Sequence, residues 1–151
     1  MRELKVGDKS PEFVGKDENG NDISLSNFKN TKLILFIYPK DNTPGCTKEA
    51  CNLRDNYQLL MDKGFSIVGV SADSSDKHTK FIDKFNLPFP LIADVDKQII
   101  NAFGCWGPKK FMGKEYDGIH RKTFIIENST ITKIFHKVKT NDHTNQILEN
   151  L

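Results

Sequence analysis

The chain has 151 residues, 37% apolar and 28% charged, with a formal charge of +2. That length suits one domain, residues 1–151, with a core of its own. The composition excludes a disordered chain, and the small, dispersed charge offers no stripe for nucleic acid. No apolar run approaches the ~20 residues that span a bilayer, and the first seven residues, Met1-Arg2-Glu3-Leu4-Lys5-Val6-Gly7, carry no apolar signal core. The expected location is therefore the cytoplasm, where three cysteines are not a structural disulfide framework.

Taken in chain order, Phe13 to Leu25 contains Asn19-Gly20 between short alternating stretches, which predicts a hairpin. Leu33 to Tyr38 and Phe65 to Val70 are continuous apolar runs of strand length, as in strands buried on both faces. Between them Cys46, Ala50, Leu53, Tyr57 and Leu60 share one helical face, with Lys63-Gly64 as the stop. A second helix is predicted from Ser75 to Phe85, with His78, Phe81, Ile82 and Phe85 on one stripe, ended by Pro88 and Pro90. Leu91-Ile92-Ala93 then reads as a short strand, and Val95, Ile99 and Phe103 as a short helix. Thr123–Ile126 and Ile131–Phe135 form a second hairpin, and a final helix, from Asn141 to Leu151, uses Ile147, Leu148 and Leu151. An early βαβ and a late ββα around one sheet is a thioredoxin-like α/β order: a central mixed β-sheet flanked by helices, with an N-terminal hairpin. A dinucleotide fold would keep alternating βα and would carry a glycine-rich loop after its first strand.

The chemically informative segment runs from Pro39 to Cys51, where a buried strand gives way to a helix. Ligand sites of open α/β sheets gather at that end of the strands. Thr43 suits the N-cap and Pro44 the first helical position, which puts Cys46 at N3. The unpaired amides and positive dipole end there favour an anion, and only a thiolate is a nucleophile. Those amides also suit negative charge that develops on a substrate oxygen. Cys51 lies about 7.5 Å further along an intact helix, so a Cys46–Cys51 disulfide, if it forms, must unwind the first turns.

The pattern Pro39-x-x-x-Thr43-x-x-Cys46 resembles the active-site signature of peroxiredoxins. The longer run Asp41 to Cys51 is similar to the bacterioferritin-comigratory-protein, or peroxiredoxin Q, subgroup. The likeness continues in Asn52-Leu53-Arg54-Asp55, in Val70-Ser71-Ala72-Asp73, and from Trp106-Gly107 to Gly118-Ile119-His120-Arg121-Lys122-Thr123-Phe124. The resemblance implies a thioredoxin-like fold and a thiol peroxidase acting on hydrogen peroxide and organic hydroperoxides. Cys46 would become a sulfenic acid, Cys51 of the same chain would resolve it to a disulfide, and thioredoxin or a similar reductant would recycle it. It also implies that Thr43 orients the peroxide, Pro39 shields the sulfur from water and Arg121 stabilises the thiolate. No metal, haem or flavin is called for, and intramolecular resolution favours a monomer.

Cys105 departs from that subgroup pattern, and a buried spectator or a backup resolving or regulatory thiol are both open for it. His78 and His136 are weak candidates for a base, His78 fitting the rim of a helix face. Cys46-x4-Cys51 resembles the start of an iron–sulfur spacing, but three cysteines cannot supply four thiolates. Two rival activities remain: a thiol–disulfide oxidoreductase, disfavoured by the missing Cys-x-x-Cys, and a redox-sensing binding protein switched at Cys46.

Overall fold

Two residues, Leu35 and Ile34, show how the molecule is built: neighbours in sequence, they point into different cores. In the computed structural model, which describes residues 3–151, a five-stranded sheet separates two apolar clusters. Its strands, in spatial order, are β5 (Leu91–Ala93), β4 (Phe65–Ser71), β3 (Lys32–Ile37), β8 (Lys122–Glu127) and β9 (Thr130–Phe135). β3, β4 and β5 are parallel, whereas β8 runs antiparallel to β3 and to β9, so the sheet is mixed as expected. Leu33, Leu35 and Ile37 of β3 enter one cluster, while Ile34, Phe36 and the following Tyr38 enter the other. That period-two division of an all-apolar strand is what burial on both faces requires.

One face is covered by α1 (Pro44–Asp55), α2 (Tyr57–Asp62) and α5 (His143–Glu149), with Phe81 of α3 (Ser75–Phe85) in the same cluster. The other is covered by the N-terminal hairpin β1 (Val14–Lys16) and β2 (Asp22–Ser24), and by α4 (Gln98–Ala102). The β1–β2 turn holds Gly20 at φ 80°, and the Asp17 carboxylate accepts the amides of Asn19 and Asn21. The thioredoxin-like order expected from the sequence is thus present.

Several boundaries differ from the sequence expectation. The single helix expected from Cys46 to Leu60 breaks at Asn56 (φ −112°, ψ 16°), whose side-chain amide donates to the Asn52 carbonyl. An asparagine that captures the i−4 carbonyl competes with the backbone for it. The helix expected to carry Val95 begins only at Gln98. The Asp94 carboxylate accepts the amides of Ile99 and Ile100, Lys97 takes a left-handed turn, and Val95 is exposed. α3 is ended by Asn86 in the left-handed region, before either proline. The last helix spans only His143–Glu149, and Leu151 is exposed beyond it.

The sequence expectation missed the short 3-10 helix Leu25–Phe28 and one whole hairpin. β6 (Trp106–Phe111) and β7 (Lys114–Ile119) form a separate antiparallel hairpin around Met112-Gly113, both at positive φ. Two residues in that conformation match the twist of a two-residue hairpin. This hairpin delivers the chain to Arg121. Because β8 pairs antiparallel with β3, with Lys122 opposite Ile37, Arg121 emerges beside the carboxyl end of β3, where the chain turns into α1.

Candidate active site

The loop between β3 and α1 is braced from below. The Tyr38 hydroxyl donates to Asp41 Oδ1 at 2.6 Å, and Asp41 Oδ2 lies 2.6 Å from Nδ1 of the fully buried His78. Nε2 of His78 donates to the Ile92 carbonyl at 2.9 Å, so a proton must also lie between Nδ1 and Asp41. Asp73 Oδ2 accepts the Asp41 amide and the Ser71 hydroxyl at 2.8 and 2.7 Å. His78 is therefore a buried brace rather than the rim residue its helical position suggested. Asp41, Asp73 and His78 come close enough together to suggest a cation site. Both Asp41 oxygens, both His78 nitrogens and Asp73 Oδ2 already face protein partners, and that donor arrangement fits a structural network better than a metal.

Above the brace, Asn42 takes the left-handed conformation (φ 59°) and Thr43 the extended N-cap geometry (φ −93°, ψ 157°). The Thr43 carbonyl accepts the first helical amide, from Thr47, at 2.8 Å. Its side chain does not cap: the hydroxyl donates backward to the Lys40 carbonyl at 2.8 Å. Pro44 follows at N1, which places Cys46 at N3 as the sequence predicted. Pro39 is half-buried in the same loop.

Cys46 is 1% exposed, and Arg121 Nη2 donates to its sulfur at 3.2 Å. Residues 75 positions apart are thus joined. Gly45 makes room for this, since a Cβ on it would stand 3.1 Å from the same guanidinium nitrogen. The other arm of the fork, Nη1, donates to Glu49 Oε1 at 2.7 Å. Glu49 is wholly buried, one helical turn beyond Cys46, and burial outweighs Arg121 in pushing its carboxyl up from 4.5 to about 7. Behind it, Glu49 Oε2 lies 3.6 Å from Nε2 of His143, a wholly buried residue of α5 whose burial lowers its pKa to about 4.

The structure therefore brings Cys46, Arg121 and the Thr43 loop together. Glu49 and His143 had been passed over in the sequence. The available signal was a carboxylate three residues after Cys46, inside an otherwise apolar helical stripe. His143 gave no comparable signal, because its neighbours there come from β8 and α1.

Cys51 is partly buried in α1 with a free thiol, and desolvation raises its pKa from 9.0. Cys105 lies in the core on the opposite face of the sheet, 0% exposed, with burial pushing its thiol up to about 12. That placement favours the spectator reading. His136 is exposed at the end of β9. Among the described residues no helix is long and apolar enough to cross a membrane.

Residues 6–134 match the AhpC/TSA family. The chain is 42% identical over 149 residues to Peroxiredoxin Bcp of Escherichia coli, covering 98% of this chain and 96% of that one. A serine variant of Xylella fastidiosa PrxQ superimposes with a TM-score of 0.91 at 28% identity, covering 99% and 96% of the two chains. The bacterioferritin comigratory protein of Xanthomonas campestris, solved as trapped intermediate and ligand complexes that bear on its alkyl peroxide reduction, gives a TM-score of 0.84 at 30% identity, covering 91% and 88%.

Proposed function

The chain belongs to the AhpC/TSA family, in its Bcp and peroxiredoxin Q group of thiol peroxidases, and from that premise we propose that Cys46 is the sulfur that meets the peroxide. The observation that carries this reading is the Arg121 guanidinium, 3.2 Å from Cys46 Sγ at the third position of α1. A permanent cation and the free amides of a first helical turn favour the thiolate together.

In the first step the Cys46 thiolate attacks the distal oxygen of the hydroperoxide. An S–O bond forms, the O–O bond breaks, and the departing alkoxide or hydroxide takes a proton from water. Arg121 and the amides of Gly45 and Cys46 stabilise the negative charge as it moves from sulfur to the leaving oxygen. The Thr43 hydroxyl spends its hydrogen on Lys40, which leaves its oxygen lone pairs to accept the peroxide O–H and aim it. Pro39 keeps bulk water from the sulfur.

Cys51 then attacks the Cys46 sulfenic acid, forming the disulfide and releasing water. Five residues of intact helix hold the thiols too far apart for this, so the first turns of α1 must unwind. Unwinding also releases Cys51 from the burial that raises its pKa. A dithiol reductant of the thioredoxin type restores both thiols by exchange. Resolution within one chain suits a monomer, and a cycle that begins from free thiols suits the cytoplasm. Hydrogen peroxide and alkyl hydroperoxides are the substrates; the alkyl peroxide reduction ascribed to the Xanthomonas campestris relative supports the second.

The test is hydroperoxide consumption coupled to thioredoxin, thioredoxin reductase and NADPH. Cys46→Ser should abolish turnover, and Cys51→Ser should react once without recycling. Full activity in Cys46→Ser would refute the assignment.

A further inference from the structure

Behind the Cys46–Arg121 contact lies a buried titratable pair that the peroxidase cycle does not consume. Its hydrogens can be placed from the surrounding partners. Gln146 Oε1 accepts the Lys139 amide at 2.9 Å while its nitrogen donates to the Lys137 carbonyl at 2.7 Å, so the oxygen faces His143. Nδ1 of His143, 2.9 Å from that oxygen, therefore carries a hydrogen. In the neutral ring Nε2 is then a single lone pair, for which the Thr123 hydroxyl, 2.8 Å away, and a proton on Glu49 Oε2 compete. Glu49 Oε2, 3.6 Å from the same nitrogen, has no hydrogen-bond partner. Two buried acceptors facing each other repel, and an unpaired carboxylate oxygen in such a place is costly. One further proton, on Oε2 or on Nε2, turns that opposition into attraction.

We propose that Glu49 and His143 share one proton, and that this proton sets how much of the Arg121 charge is left for Cys46. The inference rests on the reading of Cys46 as the peroxide-reactive thiol. Both are positioning residues, acting on the sulfur only through Arg121. When the proton is present, Glu49 is neutral and the guanidinium compensates the thiolate alone. When it leaves, two anions divide one cation. The charged or titratable groups that face the pair are Arg121 at the head of β8 and Cys46 on α1; Thr123 and Gln146 add neutral hydrogen bonds. Burial pushes Glu49 to about 7 and His143 to about 4, so below neutrality the proton sits on the carboxyl, facing a neutral ring, and it leaves as pH rises through about 7. Through the shared guanidinium, negative charge on Glu49 opposes negative charge on the Cys46 sulfur.

The experiment is the rate of Cys46 alkylation by iodoacetamide in the full chain, read by peptide mass mapping from about pH 5 to about pH 9, a range about two units either side of the Glu49 step. Wild type should show a broadened, two-step rise. Glu49→Gln should collapse it to one step at lower pH, because Arg121 then serves one anion. His143→Asn, which removes the acceptor for the Glu49 proton, should move the Glu49 step to lower pH. A single step common to wild type and Glu49→Gln would overturn the proposal. Should His143→Asn fail to fold, the imidazole nitrogen shifts of wild-type His143 decide: Nε2 must respond in the pH range of the Glu49 step, and an unresponsive Nε2 overturns it. Alkylation needs no peroxide. The two-step pattern without peroxide turnover would defeat the peroxidase reading alone, and turnover with a single step would defeat the shared proton alone.

Discussion

Arg121 does two things at once because a guanidinium is a rigid fork. Nη2 reaches the sulfur and Nη1 reaches Glu49, at 3.2 and 2.7 Å. A lysine is a point charge on a flexible stem and cannot hold both partners in that plane. Arg121→Lys should therefore slow peroxide reduction by about 10- to 100-fold, the rate equivalent of one charged hydrogen bond of about 1.5–3 kcal/mol. Stopped-flow oxidation of the reduced enzyme measures this; an unchanged rate would mean that charge alone suffices. Gly45→Ala tests the same contact without touching the charge. Its Cβ would meet Nη2 at 3.1 Å, tight enough to displace one arm of the fork. It should lower the rate in the same direction as Arg121→Lys but by less, with Glu49 still paired.

Two elements, α1 and α5, decide how easily the site opens. Asn52, next to Cys51, accepts the Thr144 amide at 2.7 Å through Oδ1, and its carbonyl accepts the Thr144 hydroxyl at 3.4 Å. Unwinding α1 far enough to join Cys46 and Cys51 strains this tether and withdraws Glu49 from Arg121. Asn52→Ala leaves the part-buried Thr144 amide without its acceptor, at a cost of about 1–3 kcal/mol. It should increase amide exchange across Cys46 to Cys51 and speed disulfide formation after a peroxide pulse; slower disulfide formation would contradict the tether. On the other side of the loop, His78→Leu strands Asp41 in the interior and should cost about 3–5 kcal/mol by urea unfolding, as loss of one partner from a buried pair does. Both elements also show where the sequence could be read and where it could not. The stripe of Cys46, Ala50, Leu53 and Leu60 and the all-apolar β3 and β4 were legible because burial imposes a period on adjacent residues. The thiol's place at N3 followed from Thr43-Pro44 for the same local reason. The break at Asn56 and the late start of α4 turn on side chains that capture particular backbone groups, which periodicity does not encode. The β6–β7 hairpin escaped because its strand residues are mostly exposed and show no clean alternation. Arg121 was found through a family resemblance alone, and His143 not at all, since only the β3–β8 register and the docking of α5 bring them to Cys46.

For the whole molecule, the Glu49–His143 pair makes folding stability depend on pH through two opposed slopes. Folding raises Glu49 from 4.5 to about 7, first through burial, so between those values the folded chain holds the extra proton. The Glu49 contribution is fully present below pH 4.5 and is lost as pH rises through about 7. Folding lowers His143 from 6.5 to about 4, again first through burial, so there the unfolded chain holds the extra proton. The His143 contribution is present above pH 6.5 and is lost as pH falls through about 4. Between 4.5 and 6.5 the slopes oppose each other, and only the Glu49 decline remains from 6.5 to about 7. Each tenfold change in proton affinity is worth about 1.4 kcal/mol, so removing one partner should expose a change of about 3–4 kcal/mol that wild type conceals. Urea unfolding at successive pH values should give a nearly flat wild-type profile from this pair. Glu49→Gln should gain stability as pH rises from about 4 to 6.5, while His143→Asn should lose it as pH rises toward neutrality. The opposite signs are the discriminating feature, because a variant that merely loosens packing lowers the whole profile without tilting it. Parallel profiles for all three proteins would show that the two groups do not exchange protons on folding, and would remove the basis for a proton held between them.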